Sequence, residues 1–486
     1  MKPMLHDPTL LKDKAFLEGQ WVAAPSGATY PVINPASGET LAFVPDMGGA
    51  ETRLAIESAH RAFPSWKSKT AGERANLLRR WYQLMMEHQD DLGVILTLEQ
   101  GKPLPEAKGE IRYGASFVEW FAEEARRVYG DVIPGHEENK RILVLRQPVG
   151  VCGIITPWNF PNAMIARKVA PALAAGCTVV IKPAEATPLS ALAMAALAER
   201  AGIPPGVVNV VTAQNPRPVG EELTSNPLVR KISFTGSTRV GKLLMAQCAG
   251  TVKRLSLELG GNAPFIVFED ADLDAAVAGA IASKYRNAGQ TCVCANRLLV
   301  HERVAPEFAQ KLAEATEALP VGDGMDAGVA IGPLINEAAL EKVERLIGDA
   351  VARGAEVLTG GKRHALGRTF FQPTVLLGAL PGMALAREEI FGPVAPIFAF
   401  STEDEAIRLA NDTEFGLAAY FYGKDMSRIF RVAEALEYGI VGVNTGMVST
   451  AVAPFGGMKE SGFGREGSRY GMDEFLEMKY VCLDIS

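Results

Sequence analysis

Residues 149–183 read VGVCGIITPWNFPNAMIARKVAPALAAGCTVVIKP and set the pattern for the fold. The apolar runs VGVCGIIT and CTVVIKP favour buried strands, and NAMIARKVAPALAA between them predicts a helix that ends at Gly176. The helix-like segment PLSALAMAALAERA follows, with Thr187 as the predicted N-cap and Pro188 as the first helical residue. The strand-like runs VVNVVT, KISFT, RLSLEL and APFIVF continue the series. Strands interleaved with helices in this way predict a doubly wound parallel α/β sheet.

A second α/β unit is predicted after Cys292. The run NRLLVH favours a strand, and a helix is expected from about Pro306 to Leu319. Three further strand-like runs, AEVLTGG, PTVLLG and PVAPIFAF, follow it. Thr402 and Glu405 have capping-box spacing before EDEAIRLAND. We expect the hinge between the two units near the glycine pair at 260–261.

Composition limits the classes of partner. The chain has 486 residues, which implies more than one domain. It has 49 basic and 56 acidic side chains with no Lys/Arg cluster, so nucleic acid is not an expected partner. The N-terminus lacks a signal-peptide core, and the longest uncharged apolar run, between Lys168 and Lys182, is too short for a membrane span. Six cysteines in this length do not suggest a secreted disulfide framework, so a cytoplasmic protein is expected.

Two glycine-rich segments resemble phosphate-binding loops. GSTRVGKL, residues 236–243, nearly matches a P-loop, but Leu243 replaces the hydroxyl residue that would hold Mg²⁺, which argues against an NTPase. The helix start predicted at Ser237 could still bind a phosphate through free backbone N–H groups, or be a plain strand-to-helix turn. Gly462, Gly464 and Gly467 spell G-x-G-x-x-G without a preceding apolar strand, which predicts a flexible loop.

The stretch GQTCVCANR, residues 289–297, contains a candidate nucleophile. A metal site is not expected, because C-x-C supplies too few ligands and none of the six histidines is adjacent. In an extended segment Cys292 and Cys294 lie about 6.6 Å apart, near the limit for a disulfide, so only a local rearrangement under oxidation would join them. The other four cysteines suit buried packing positions. Cys292 has small or polar neighbours that could leave its sulfur accessible to a substrate.

Glu258 is an acidic residue in the apolar run RLSLEL, just before a glycine pair. Burial would raise its pKa towards a value suited to a general base. The other interpretation is a glutamate at a sheet edge that faces water.

Six motifs together resemble the aldehyde dehydrogenase superfamily in their order and spacing: PWNFP (157–161), IKPAEATP (181–188), FTGST (234–238), LELGG (257–261), GQTCVCANR and EEIFGPV (388–394). The resemblance covers essentially the whole chain. It implies a Rossmann-like NAD-binding domain (1–125 and 148–259), an α/β catalytic domain (260–466) and a small β oligomerisation arm (126–147 and 467–486). A homo-oligomer, dimer or tetramer, is therefore expected.

The resemblance also implies the catalytic residues. Cys292 matches the nucleophile, the Asn159 amide matches a donor to the oxyanion, and Glu258 matches the base that activates water. Relatives that transfer the acyl group to coenzyme A generally lack this glutamate, so hydrolysis is expected.

The same resemblance implies that a nicotinamide coenzyme would contact eight separate residues. Lys182 and Glu185 match contacts to the adenosine ribose. The remaining coenzyme residues are Trp158, Thr235, Gly236, Ser237, Glu389 and Phe391. Because the Glu185 carboxylate can accept from a ribose 2′-hydroxyl but would repel a 2′-phosphate, NAD is favoured, with NADP possible.

Arg167, Arg286 and Ser449 resemble the substrate contacts of the succinate-semialdehyde dehydrogenase branch. Two guanidinium groups suit a carboxylate at the far end of a short aldehyde. The other interpretation of each arginine is a surface or interdomain ion pair, and Thr450 could serve in place of Ser449. The branch often has an acidic residue where this chain has Ala451, Val452 and Ala453. Glutarate semialdehyde or another aldehyde therefore remains an alternative substrate. A coenzyme-independent thiol esterase is the alternative from another class.

Overall fold

The computed structural model describes residues 5–486. Within them lie the strands β1 Ala15–Leu17, β2 Gln20–Val22, β3 Thr29–Ile33, β4 Thr40–Pro45, β5 Asp131–Ile133, β6 Lys140–Pro148, β7 Val151–Ile155, β8 Thr178–Lys182, β9 Val208–Val210, β10 Val229–Thr235, β11 Arg254–Glu258, β12 Ala263–Val267, β13 Ala295–His301, β14 Glu356–Thr359, β15 Thr374–Leu377, β16 Val394–Phe400, β17 Ala418–Tyr422, β18 Ile440–Val443, β19 Gly462–Phe463 and β20 Leu476–Asp484.

The α-helices of the same residues are α1 Gly49–Ser68, α2 Ala71–Glu87, α3 Gln89–Gln100, α4 Leu104–Glu124, α5 Ala163–Ala175, α6 Pro188–Arg200, α7 Pro216–Ser225, α8 Thr238–Cys248, α9 Leu273–Lys284, α10 Ala305–Glu317, α11 Glu337–Ala352, α12 Ala384–Arg387, α13 Glu403–Asn411, α14 Met426–Ala435 and α15 Tyr470–Asp473. In this part of the chain no helix combines the length and the apolar character that a membrane crossing requires.

The first sheet has the order β19-β11-β10-β7-β8-β9-β1-β2, and its five central strands are parallel. Alternate residues of its strands enter two cores. Cys152 and Ile154 pack with α2, α4, α5 and α6, whereas Val151 packs with α1, α7 and α8 on the other face. Helices on both faces explain why these strands read as continuous apolar runs. The predicted doubly wound sheet is confirmed.

The second sheet has the order β14-β15-β16-β13-β12-β17-β18, and only its β14 edge is antiparallel. It has its own core, to which β12, β13, β16 and β17 contribute consecutive residues from both faces of the sheet. The predicted second α/β unit is confirmed. The chain passes from one sheet to the other between Glu258 and Ala263.

A third sheet, β20-β6-β5, is antiparallel and pairs residues 476–484 with residues 148–140. It contains both segments of the predicted arm, together with Pro148. β19, in contrast, belongs to the first sheet although residues 462–463 fall within the predicted catalytic domain. The division into the three domains stays a prediction.

Four local predictions were wrong or half right. Cys482, expected in a buried packing position, is exposed. The Thr187 side chain does not cap α6; the carboxylate of Glu99 accepts from the backbone N–H groups of Leu189 at 2.7 Å and Ser190 at 2.8 Å instead. The Gly462 segment is not a flexible loop, because it pairs with β11 as an edge strand. Thr402 caps α13 as predicted, but the Glu405 carboxylate accepts from the N–H of Ser401.

Candidate active site

The parallel strands of the first sheet end together. In the register of the ladder, Thr235 lies beside Glu258, Phe234 beside Ile155, and Ile155 beside Lys182. The loops that leave these strands therefore meet at one edge, the carboxyl edge, where open α/β sheets bind ligands.

A cavity of about 550 Å³ opens at this edge. Its walls come from the loops of the first sheet, from α4, α5 and α11, and from the segments around Cys292, Glu389 and Ser449. The predicted site residues that line it are Trp158, Asn159, Arg167, Thr235, Gly236, Ser237, Arg286, Cys292, Glu389, Phe391 and Ser449. Glu258 is absent from this lining, but Leu259 and Gly260 beside it are present. Lys182 and Glu185 lie at the end of β8, outside the cavity.

Cys292 lies in a turn and is half-buried. The backbone N–H of Cys294 donates to Thr291 O at 3.2 Å, so the assumption of an extended segment was wrong. Cys294 is buried and directs its sulfur to Lys284 O at 3.3 Å. Burial raises the pKa of the Cys292 thiol to about 12, with Arg167 opposing the rise. A link between the two sulfurs under oxidation stays a prediction.

The backbone at Cys292 touches the crossing between the sheets. A Cβ on Gly261 would clash with the carbonyl oxygen of Cys292, so only glycine allows this approach. This close contact fixes the position of the backbone turn that carries Cys292 relative to the end of β11.

Glu258 is 4 % exposed and ends β11 in the sheet interior. Neither carboxylate oxygen has a hydrogen-bond partner among residues 5–486. Burial raises the pKa of Glu258 well above its ordinary value, and the Glu466 carboxylate adds to the rise. The alternative of an edge glutamate that faces water is wrong.

Asn159 lies in the loop between β7 and α5. Its side-chain amide donates to Gln290 O at 3.0 Å, which leaves one of its two N–H groups free of protein partners. Its backbone oxygen accepts from Lys102 Nζ at 2.7 Å and from Asn287 Nδ2 at 3.1 Å. The loop thus takes its shape from contacts with distant parts of the chain.

The two arginines differ in their partners. Arg167 is 2 % exposed, its Nε lies 2.6 Å from Glu466 Oε2, and its guanidinium stacks on Phe455 at 3.8 Å from the ring centre. Arg286 is partly exposed, and no carboxylate of residues 5–486 lies within ion-pair distance of it. Its Nε is buried without a hydrogen-bond partner. Within residues 5–486 an ion pair is therefore found at Arg167 and not at Arg286.

The opposite end of the cavity contains a capped helix start, an unpaired hydroxyl and a buried carboxylate. Ser237 caps α8 and accepts from Val240 N at 3.4 Å, and the buried Thr235 hydroxyl has no partner within residues 5–486. The Glu389 carboxylate accepts from Gly261 N at 3.0 Å, and burial raises its pKa to about 7. The rings of Trp158 and Phe391 meet edge to face at 5.5 Å.

Outside the cavity, Lys182 and Glu185 form a weak pair. Lys182 Nζ lies 3.3 Å from Glu185 Oε2, and the Glu185 side chain is 49 % exposed. Within residues 5–486 no cluster of three or more His, Cys, Asp or Glu side chains could hold a metal ion.

Sequence motifs missed the contribution of α4. Lys102, Glu106, Glu110 and Tyr113 line the cavity. One signal was present: Glu110 falls on the same helical face as the small residues Ala107 and Gly114, where an ordinary surface charge is not expected.

Comparison with known proteins decides the family. The sequence model of the aldehyde dehydrogenase family matches residues 21–481. The chain belongs to the aldehyde dehydrogenase family. As an aldehyde dehydrogenase it is an oxidoreductase that uses NAD or NADP.

Three relatives of this aldehyde dehydrogenase are similar over nearly their whole length. Succinate-semialdehyde dehydrogenase [NADP(+)] GabD of Escherichia coli is 61% identical, over 99% of this chain and 100% of that protein. Glutarate-semialdehyde dehydrogenase of Pseudomonas aeruginosa is 61% identical, over 99% of each chain. The crystal structure of succinate-semialdehyde dehydrogenase from Burkholderia pseudomallei is 64% identical with a TM-score of 0.98, over 99% of this chain and 100% of that chain.

Proposed function

We propose that this aldehyde dehydrogenase oxidises succinate semialdehyde, a short aldehyde with a carboxylate at its far end, to succinate. The observation that carries the proposal is the unpaired guanidinium of Arg286, which lines the same cavity as Cys292. A partly buried charge without an ionic partner is costly unless a ligand supplies the opposite charge. A substrate carboxylate would do so through charge-assisted hydrogen bonds.

Glu106 does not lie within ion-pair distance of Arg286, and its Oε2 is held by the backbone of Asn287. It lines the same cavity and lies close enough to feel the Arg286 charge, but burial raises the pKa of the Glu106 carboxyl, and its Oε2 accepts from Asn287 N at 2.9 Å. The positive charge of Arg286 therefore stays available to a ligand.

Arg167 and Ser449 complete the proposed carboxylate site. Glu466 pairs with Arg167 and also with Lys168, so its single charge is shared between two buried cations. Because Arg286 has no such carboxylate partner, we assign Arg286 the larger electrostatic share and Arg167 a share through its unpaired Nη2. Ser449, on the same wall, offers a hydroxyl donor. Glutarate semialdehyde stays the second candidate because a single methylene changes binding by only about 1–3 kcal/mol.

The proposed chemistry begins at Cys292. Its deprotonated sulfur attacks the aldehyde carbon, and the carbonyl electrons move to oxygen. The free N–H of the Asn159 amide and the backbone N–H of Cys292 donate to that oxyanion. The result is a thiohemiacetal on Cys292.

The residues along the carboxyl edge fit a nicotinamide dinucleotide. The capped start of α8 suits the pyrophosphate, the buried Thr235 hydroxyl lacks a partner, and the Glu389 carboxylate can accept from a ribose hydroxyl. When bound there, the coenzyme supplies the hydride acceptor that converts the thiohemiacetal into a thioester. Trp158 and Phe391 wall this end of the cavity.

Glu258 completes the proposed cycle. Its carboxylate accepts a proton from a water molecule that attacks the thioester carbon, and the Cys292 sulfur leaves as the thiolate. Because burial raises the pKa of Glu258, its carboxylate is a stronger base than an exposed glutamate.

We propose NAD as the preferred coenzyme. The half-exposed carboxylate of Glu185 is available at the end of β8, where it would accept from a ribose 2′-hydroxyl and repel a 2′-phosphate. The name of the Escherichia coli relative specifies NADP(+), so the preference needs a direct test.

The test is the initial rate of NADH formation with succinate semialdehyde, glutarate semialdehyde and butanal, each repeated with NADP. We expect the highest kcat/KM for succinate semialdehyde with NAD. Arg286→Ala should lower kcat/KM for succinate semialdehyde by about 100-fold, since truncating one side of a partly buried charge pair costs about 2–5 kcal/mol. Butanal, which lacks the carboxylate, is the matched control and should lose little.

Each other outcome would change the assigned substrate or the assigned reaction. Preference for glutarate semialdehyde would change the substrate and keep the mechanism, and an equal loss with butanal would contradict the carboxylate role of Arg286. Ester hydrolysis without coenzyme, together with no absorbance change with any aldehyde, would favour a thiol esterase.

A further inference from the structure

Lys102 and Glu110 form a buried ion pair beneath the loop of Asn159. Lys102 Nζ lies 2.7 Å from Glu110 Oε2, and each side chain is 1% exposed. The pair lies where the chain enters α4 and on the first half of that helix. Motif comparison gave neither residue a role.

All three N–H groups of the Lys102 ammonium have partners. One donates to Glu110, one to the backbone oxygen of Asn159 at 2.7 Å, and the ammonium lies 3.7 Å from the centre of the Phe160 ring. Lys102 is thus fixed against the two consecutive residues Asn159 and Phe160.

Glu110 secures the other end of the same loop. Its Oε1 accepts from the backbone N–H groups of Asn162 at 2.9 Å and Ala163 at 3.1 Å. The Asn162 side chain makes no cap bond, so Glu110 satisfies N–H groups that begin α5. One ion pair therefore holds the loop both where it carries Asn159 and where it enters α5.

Stability alone gives little reason for such a pair. Replacing a buried ion pair with well-packed apolar residues is often neutral or stabilising. This pair instead contacts the backbone of Asn159, whose amide is the proposed donor to the oxyanion. Small displacements of a reacting geometry cost large factors in rate.

We propose that Lys102 and Glu110 are positioning residues that hold the Asn159 backbone so that its side-chain amide donates to the oxyanion formed at Cys292. The proposal deepens the proposed function and rests on the role given there to Asn159. Both residues line the cavity, but each side chain is only 1% exposed, so the pair is assigned an action through Asn159 and no direct bond to the substrate.

The test is a double-mutant cycle on kcat with Lys102→Met and Asn159→Ala in the full-length protein. We expect Asn159→Ala to lower kcat by about 100-fold or more, as for other oxyanion donors. Lys102→Met should lower kcat about 10-fold to 100-fold in the wild type and less than 2-fold in the Asn159→Ala background, because its effect passes through the lost amide. KM for the aldehyde should change much less than kcat.

Lys231→Met is the matched control. Lys231 is also fully buried and pairs with a carboxylate, Glu474, at 3.4 Å, but it does not line the cavity. It should leave kcat within about 2-fold, whereas a general effect of losing a buried lysine would lower kcat in both variants. If Lys102→Met does not fold, Glu110→Gln enters the same cycle, since it removes the charge and keeps an acceptor for the start of α5.

The outcomes separate the two levels of the argument. If Asn159→Ala lowers kcat, and Lys102→Met lowers kcat by the same factor in the wild type and in Asn159→Ala, the positioning role is overturned and the proposed function stays intact. An Asn159→Ala variant with the wild-type kcat would overturn the oxyanion role and this inference with it. Non-additive losses with an unchanged Lys231→Met variant would support the proposal.

Discussion

Burial governs the protonation state of the Cys292 thiol in the protein without ligands. Its pKa is raised to about 12, chiefly by burial. A thiol below its pKa gains thiolate tenfold for each pH unit, so the alkylation rate of Cys292 by iodoacetamide should rise about tenfold per unit from pH 7 to 9. Peptide mass spectrometry after timed labelling gives the rate at this position.

A short cysteine peptide with an ordinary thiol pKa of about 8.5 is the control, and its rate should level off near pH 9. A Cys292 rate that levels off below pH 8 would contradict the raised pKa and show that Arg167 outweighs burial.

The residues that the sequence singled out stand in local motifs, whereas the residues that it missed depend on contacts between distant parts of the chain. Cys292, Asn159 and Glu258 stand in local motifs, so the resemblance located them. The different states of Arg167 and Arg286 could not be predicted, because they depend on Glu466, which reaches Arg167 from a distant part of the chain. Lys102 and Glu110 were missed for the same reason.

At the scale of elements, the start of α6 depends on a carboxylate from α3. The Glu99 carboxylate accepts from the backbone N–H groups of Leu189 and Ser190. Glu99→Ala would leave these buried N–H groups unpaired, which costs about 1–3 kcal/mol for each group, and should lower the midpoint of thermal unfolding.

Thr187→Val is the matched control for α6. The Thr187 hydroxyl is buried and has no partner within residues 5–486, so removing it at constant shape should leave the free energy of unfolding unchanged or raise it. A loss of about 1 kcal/mol in Thr187→Val, with Glu99→Ala unaffected, would restore Thr187 as the cap. Thermal unfolding followed by circular dichroism distinguishes the two cases.

The apolar periodicity of the sequence predicted the positions of helices and strands. It did not predict the side chains that cap the helices or the strands that pair at the sheet edges. The pattern placed α5, α6, β7 and β8, because burial on a fixed period is written in the local sequence. The edge strand β19 was missed, since its pairing with β11 is a tertiary contact. Gly462 has a φ of 103° and a Cβ there would clash with Leu257 O, so its glycine serves this close approach and not mobility.

At the scale of the whole molecule, the third sheet is poorly covered by the rest of residues 5–486. Its strands expose large apolar side chains, including Val132 at 82%, Met478 at 72% and Tyr480 at 60%. In the cross-strand register, Val132, Leu143 and Val481 lie side by side on one face of the sheet. Tyr480 and Val144 lie side by side on the opposite face. A three-stranded sheet with apolar residues exposed on both faces indicates contact with a further surface.

We propose that copies of the chain associate through this sheet, so charges placed on it should reduce the size of the assembly without unfolding the chain. The double variant Met478→Glu/Tyr480→Glu would place two carboxylates at the proposed subunit contact. Burying these carboxylates there would cost their hydration free energy. We therefore expect smaller species by analytical ultracentrifugation. The matched control is Leu54→Glu, because Leu54 on α1 is also an exposed apolar residue, at 56%, and lies far from the arm in sequence. If the double variant sediments like the wild type while circular dichroism shows both folded, residues 476–484 do not form the subunit contact through this face. A shift that Leu54→Glu shares would instead point to a general effect of added negative charge on a chain that already carries −7.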